Sequence, residues 1–487
     1  MVSLLQTNNQ FRPKIHFAPE KNWMNDPNGM VFFNGIYHLF FQYNPNDSVW
    51  GPMHWGHAIS KDMIHWEEQA IALFPDELGM IFSGSIVIDW HNTSGFFEDQ
   101  PGMVAIFTHH LDQPSGPPKQ YQSLAYSKDE GKSWVSYTGN PVLKHPDKVD
   151  FRDPKVFWYE KMKRWVMILA TGQTVMIYTS INLIDWQFKS EFGEGKGYQE
   201  GVWECPDLFE LQIEGTNKTK WVMLVSVGDN PDKQEGSKTQ YFIGDFDGAI
   251  FTPQDDHLRW LDYGKDNYAG VSFSDIPKAD GRRIYMGWMS NWRYANQVPT
   301  GEWRGQMTLP RKLSLVETNE GMFLKQVLVE EMMQYMYDCK PLAPNQPINN
   351  LQVPLFEVPF MVEMLVDPLE AKEIDFTFQT DYDEELIVKL DCLKKAIILD
   401  RSRIGIVEFS ELFSAEQVLP VAPNKPYYLQ MVIDHSSIEI FNDDGRYALT
   451  SLVYPRAAFD KLVITSDSSE AKLIEGKCKR IKIGDDA

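Results

Sequence analysis

Three acidic motifs hold the residues best equipped for chemistry. They are Trp23-Met24-Asn25-Asp26-Pro27-Asn28-Gly29, Phe151-Arg152-Asp153-Pro154 and Trp203-Glu204-Cys205-Pro206-Asp207. In each, a carboxylate stands beside a proline, or beside the residue that precedes one, among aromatic side chains. Proline fixes its own φ and restricts the residue before it. Aromatic neighbours strip water from a carboxyl group and so change its proton affinity. Carboxyls that are aimed and tuned in this way can divide acid and base work between them at neutral pH. Singly, each motif says little. An isolated Asp-Pro is usually a turn, and Glu204 alone could serve an ion pair. Their company carries the information.

Other patterns carry less. His54-x-x-His57 has metal-like spacing but no third ligand nearby, and reads as structural. His109-His110 reads as the polar end of a strand. Gly193-x-Gly195-x-Gly197 is not followed by a helical pattern, so it reads as a loop and not a dinucleotide fingerprint. There is no GxSxG elbow and no phosphate-binding loop. The four cysteines match no zinc or redox spacing and are expected to be reduced. No metal or cofactor is called for. A net charge of −22 argues against nucleic acid and anionic membranes as partners. No apolar run reaches the ~18 residues of a spanning helix. Residues 1–10 lack the basic start of a signal peptide. A full chain is therefore expected in the cytoplasm, and a secreted one would have lost its leader.

The elements that must position these motifs read as almost all β. Short runs rich in Val, Ile, Tyr, Phe and Trp alternate with Gly, Pro, Asn and Asp. Residues 30–33 and 36–43 flank Asn34-Gly35, a strong hairpin signal. Segments 165–170 with 174–180, and 221–227 with 240–245, read the same way. The clearest helical stretch is 326–337. An imperfect repeat runs through the first half. Ser60-Lys61-Asp62 leads to Trp66, Ser127-Lys128-Asp129 to Trp134, and Ser180 with Asn182 to Trp186. Recurrence every ~50–70 residues predicts four-stranded blades, about five of them, closing into a propeller. All 15 tryptophans lie between Trp23 and Trp303, which marks a compositional boundary. Prolines 341, 344 and 347 then read as a linker, followed by short alternating strands of a β-sandwich. The expected division is a catalytic propeller over 1–335, a linker over 336–350 and a sandwich over 351–487.

Taken together and in this order, the three acidic motifs resemble glycoside hydrolase family 32, which holds invertases, inulinases and levanases. The likeness extends through Phe41-Gln42-Tyr43-Asn44-Pro45, Trp50-Gly51-Pro52-Met53-His54-Trp55-Gly56-His57 and Phe82-Ser83-Gly84-Ser85. It covers nearly the whole chain and looks closest to bacterial-type levanases and exo-inulinases. The resemblance implies a five-bladed β-propeller followed by a β-sandwich, in agreement with the two-part reading. It implies an exo-acting, retaining hydrolase that removes terminal β-D-fructofuranosyl units from levan, inulin, fructo-oligosaccharides or sucrose. Asp26 would be the nucleophile, Glu204 the general acid and then base, and Asp153, backed by Arg152, the stabiliser of the oxocarbenium-like transition state. Proximity to ionised Asp26 would keep a proton on Glu204. Asn25 and Gln42 would hydrogen-bond the sugar or orient Asp26, and Ser83 would donate a further bond. Trp50, Phe82 and Trp288 would wall the pocket, because a furanose presents C–H faces to aromatic rings. The resemblance also admits a fructosyltransferase of the same fold, or a catalytically silent sugar-binding protein.

Overall fold

The computed structural model describes residues 10–483, apart from 99, 234–235 and 423–425. Asn34 and Gly35 both take positive φ, 49° and 85°, and join Asn22–Phe33 to Ile36–Asn44 in a tight hairpin. Such a turn matches the right-handed twist of its strands. The same up-and-down course recurs, and among the described residues it gives five antiparallel sheets in chain order. Their innermost strands are Asn22–Phe33, Met80–Asp89, Arg152–Tyr159, Trp203–Gln212 and Tyr268–Ser272. Each inner strand packs on the next, and the fifth returns to the first, so the sheets close into a five-bladed propeller. Closure is latched twice. Trp303–Arg304 pairs in parallel with Asn22 and Trp23, and Ser274 exchanges backbone hydrogen bonds with Met30 and Phe32.

Burial follows position in the blade. Inner strands are covered on both faces and are buried almost throughout, whereas outer strands such as Gln187–Phe192 are mostly exposed. The repeated Ser-x-Asp/Asn turns join the third and fourth strands of the first three blades. In each, the serine hydroxyl and the acid or amide bind the turn's backbone N–H groups. The following tryptophan then donates its Nε1–H to a turn carbonyl: Trp66 to Met63, Trp134 to Gly131, Trp186 to Leu183. The repeat is thus a turn lock. The serines and acids have no chemical task.

The second half is a β-sandwich. One sheet holds Phe360–Asp367, Tyr427–Asp434, Ser437–Asn442, Tyr447–Leu452 and Lys472–Ile481; the other holds Leu351–Pro354, Glu373–Thr380, Glu385–Asp391, Ala396–Arg403, Gln417–Pro420 and Phe459–Ser466. Alternate residues point inward, as in Ile374, Phe376 and Phe378, and fill one core. Two expectations are corrected. The 326–337 stretch is the end of strand Gly321–Leu328, a 3-10 turn at Glu330–Tyr335 and the start of another strand; its apolar residues were read with the wrong period. The proline-rich 336–350 segment carries strands Met336–Pro341 and Gln346–Pro347, both hydrogen-bonded to Lys472–Ile481. Prolines are tolerated there because these are edge strands.

The two halves meet through buried ions. His16 sits between Asp434 Oδ2 (2.8 Å) and Glu439 Oε1 (2.9 Å). Arg311 joins Glu439 at 2.6 Å and Asp262 at 3.0 Å, and Arg401 joins Asp266 at 2.6 Å. Asp434, Glu439 and Arg401 come from the sandwich, and the remaining groups precede it in the chain.

Candidate active site

Every inner strand breaks its register at the same level. The breaks fall at Met24/Pro27, Ile81/Gly84, Arg152/Lys155, Glu204/Asp207 and Tyr268/Val271. A β-bulge bends its strand and re-aims the side chains beside it. Here the bulges carry Asp26, Ser83, Asp153 and Cys205, each on a different blade. Asp153 and Cys205 hold positive φ of 63° and 45°, a conformation that L-residues rarely adopt. Pro154 and Pro206 sit in the gaps, where no ladder N–H is required, and Pro27 closes the first gap.

The bulges line a cavity of about 220 Å³ formed by Asn25, Asp26, Gln42, Trp50, Met53, Phe82, Ser83, Arg152, Asp153, Glu204 and Trp292. Asp26 is held from three sides. Ser83 Oγ donates to its Oδ2 at 2.6 Å, Asn25 Nδ2 to its Oδ1 at 3.0 Å, and the Cys205 thiol lies 3.4 Å from Oδ2. Asn25 is itself fixed by Trp23 Nε1–H at 2.7 Å. Asp153 accepts from Cys205 N at 3.0 Å, and its own N–H donates to Thr108 Oγ1 at 3.0 Å. Glu204 accepts from Arg152 Nε and Nη2 at 3.1 and 2.9 Å, and from the Tyr268 hydroxyl on its other oxygen. Arg152 also binds Asp150 at 2.5 Å and stands 3.9 Å from Asp153.

One guanidinium thus faces several carboxylates. Burial raises the Asp26 carboxyl above the usual range, and the charge of Glu204 adds to this against the hydrogen bonds from Ser83 and Asn25. Burial, opposed by Arg152 and reinforced by Glu204 and Asp26, pushes Asp153 up to about 7. Asp26 and Asp153 therefore both hold a proton more tightly than free carboxyls do. The Tyr268 hydroxyl and the Cys205 thiol are raised well above their ordinary values by burial, then by the carboxylates around them. Both stay protonated as donors.

Below this level the axis is filled. Lys155, on the third inner strand, donates to Ser272 O on the fifth at 2.5 Å and lies 3.6 Å from Asp207 on the fourth. Its side chain therefore crosses the ring, and the cavity has a floor. Arrangement at the mouth differs from expectation at one residue. Trp288 is 0% exposed and stands behind the wall, packed on Trp292 with ring centroids 4.9 Å apart. Trp292, four residues later in the loop, faces the cavity instead. Trp288 ends the strand Arg283–Trp288, whose last five residues are all buried, whereas Trp292 lies in the loop beyond it. Trp50 is 40% exposed at the rim and meets Phe82 edge-on at 6.3 Å. The other expected residues, Asn25, Gln42, Phe82, Ser83 and Arg152 with the three carboxylates, all reach the cavity. Sequence reasoning missed Met53, Tyr268 and Trp292 as site residues; Met53 lay inside a quoted motif, and Tyr268 has no neighbouring motif at all.

A closed pocket at the end of a propeller axis, with carboxylates from separate blades and aromatic walls, offers the paired carboxyl groups that a glycosidase uses. Sequence comparison agrees with the geometry. The family model described as "Glycosyl hydrolases family 32 N-terminal domain" matches residues 16–326, and "Glycosyl hydrolases family 32 C terminal" matches 343–480. The chain belongs to glycoside hydrolase family 32. It is 46% identical to a levanase of Bacillus subtilis over 459 residues, which cover 91% of this chain and 66% of that one. It is 36% identical to an extracellular exo-inulinase of Aspergillus niger, covering 94% of this chain and 93% of the other. Among solved structures, exo-inulinase from Aspergillus awamori superposes with a TM-score of 0.88 at 34% identity, over 97% of this chain and 98% of that one. A β-fructofuranosidase from Schwanniomyces occidentalis complexed with fructosyl-erythritol gives 0.88 at 31% identity, over 99% and 100%.

Proposed function

We propose that this enzyme hydrolyses terminal β-D-fructofuranosyl units from fructans and sucrose, with retention. Asp26 attacks the anomeric carbon C2 of the fructosyl unit while Glu204 gives its proton to the departing oxygen. The fructosyl ester of Asp26 is then opened by water, and Glu204 takes the water's proton. Asp153 binds sugar hydroxyls and stabilises the positive charge that develops in both transition states. Arg152 and Tyr268 hold Glu204 in place, and Ser83 and Asn25 hold Asp26. Trp50, Phe82 and Trp292 face the furanose, and Gln42 adds a polar contact. No cofactor enters these steps.

The observation that carries the reading is the floored pocket with three carboxylates at its bulges. A chain end fits such a pocket, whereas an internal unit would drive its neighbours toward the axis that Lys155, Asp207 and Ser272 block beneath it. The names of the relatives, levanase and exo-inulinase, support the same substrate class. The test is product analysis over time on levan, inulin and sucrose. Fructose is expected as the first product from each polymer, released as the retained anomer. A ladder of intermediate oligosaccharides would overturn exo action, an inverted anomer would overturn the covalent step, and dominant transfer to sugar acceptors would make the enzyme a fructosyltransferase.

A further inference from the structure

His110 is the penultimate residue of the strand Gly102–Leu111, opposite Gln120 on the neighbouring strand. Sequence alone reads it as a polar strand end. Its surroundings give it more to do. Gln120 Nε2–H donates to His110 Nδ1 at 3.0 Å, and His110 Nε2 meets Asp112 Oδ1 at 3.2 Å. An amide donor on Nδ1 and a carboxylate on Nε2 select the neutral tautomer with its proton on Nε2. The other end of the Gln120 amide reaches the active site. Its Oε1 accepts from Phe151 N at 2.8 Å and from Arg152 Nη1 at 3.4 Å. Arg152 in turn holds Glu204. His110 also lies flat against Phe82, with centroids 4.2 Å apart and planes within 10°, and Phe82 lines the cavity.

We propose that neutral His110 is a positioning residue, acting through Gln120 on the Arg152–Glu204 pair and through Phe82 on the sugar-facing wall, and that its protonation releases this hold. The proposal rests on the reading of Glu204 as acid/base. The chemistry is one of donors and acceptors. A proton on Nδ1 would face the Gln120 amide N–H. Turning the amide over would satisfy His110, but it would set N–H groups against Phe151 N–H and Arg152, which are both donors. Either the amide or the ring must move, and each movement disturbs the site. The charged groups around His110 are Asp112 past the end of its own strand, Arg152 with Asp150 on the third blade, and Asp76, 3.2 Å from the adjacent His109. The strand that carries Phe82, Met80–Asp89, has one charged residue, Asp89, at its far end. Burial holds His110 below the ordinary histidine range, with Asp112 opposing and Arg152 assisting. The release therefore occurs as pH falls below that range.

The test compares pH–rate profiles on sucrose for the wild type, His110→Gln and His110→Leu. The glutamine keeps an acceptor for Gln120 and cannot titrate; the leucine keeps bulk beside Phe82 and removes the acceptor. His110→Leu is expected to lower kcat by about tenfold, the scale of one lost hydrogen bond, with a smaller change in KM. His110→Gln is expected to keep most activity at neutral pH and to move the acid limb of kcat downward by roughly half a pH unit or more. Coincident acid limbs, or an unchanged kcat in His110→Leu, would overturn the proposal. Nitrogen-15 NMR of the wild-type imidazole provides a check that needs no variant to fold: Nε2–H is expected at neutral pH, and an Nδ1–H tautomer would overturn the relay. Glu204→Gln assayed on an activated fructoside keeps the two readings apart. Equal loss on both substrates sinks the acid/base role, whereas silent His110 variants beside a rescued Glu204→Gln sink only the relay.

Discussion

Asp26 shows how little freedom the proposed nucleophile has. Its two oxygens are already engaged by Ser83, Asn25 and the Cys205 thiol, so the carboxylate is held in place before substrate arrives. Replacement by asparagine keeps the shape and removes the proposed nucleophile. Asp26→Asn is expected to lose at least about 10³-fold in kcat, as when a covalent step is removed, with an unchanged melting temperature. More than a tenth of wild-type turnover would refute the role. Glu204 differs, because its contribution depends on the leaving group. Glu204→Gln is expected to be inactive on sucrose yet to form the fructosyl-enzyme from a fructoside whose leaving group needs no proton. A burst of that leaving group measures it; equal loss on both substrates would make Glu204 a structural residue.

At the scale of the element, the bulge is the device that brings these groups together. Regular strands would send successive side chains to opposite faces; the register breaks on the five inner strands turn them toward the axis. Gly84 closes the second bulge, directly after Ser83. A Cβ there would stand 2.1 Å from the Ile106 carbonyl oxygen on the adjacent strand. The backbone must therefore shift, and Ser83 with it, away from Asp26. Gly84→Ala is expected to lower both the melting temperature and kcat, the latter by about 10²-fold if the shift reaches ~1 Å. A Ser83→Ala comparison separates the causes. It removes the hydroxyl without moving the strand, so Gly84→Ala should be the more damaging of the two. The reverse order would show that the bulge does not set the geometry.

Across the whole molecule, the ionic seam between propeller and sandwich makes stability depend on pH. Burial alone would lower the proton affinity of His16, but Asp434 and Glu439 outweigh it and raise the imidazole to about 9. A raised folded value means that this stabilisation is complete below the unfolded value of about 6.5 and is lost as pH rises toward about 9. Asp434 and Glu439 are lowered, despite burial, by His16 and Arg311. Their contribution is present above the ordinary carboxylate range and fades as pH falls below it. Thermal melts should therefore show greatest stability in mildly acid solution and a decline between about pH 6.5 and 9. His16→Ala should cost roughly 3–5 kcal/mol by taking a charge partner from buried Asp434 and Glu439, and should remove most of that alkaline decline. An unchanged decline in the variant would place its origin elsewhere.

The amino-acid sequence by itself determined the β character, the blade repeat, the compositional change after Trp303 and the motifs around Asp26, Asp153 and Glu204. These are local features: hairpin residues, period-two alternation and Ser-x-Asp turns act over a few neighbours in the chain. Only the tertiary structure decided what depends on residues distant in sequence. It turned Trp288 into the core and put Trp292 at the wall, since strand and loop neighbours four residues apart meet different partners. It brought Tyr268 to Glu204 and Lys155 across the axis to Ser272, contacts that exist only once five blades close. It also made strands of the proline-rich 336–350 segment, because the unpaired edge of Lys472–Ile481 was there to receive them. Partners of that kind cannot be read from spacing, since ring closure, not chain order, sets the distance between them.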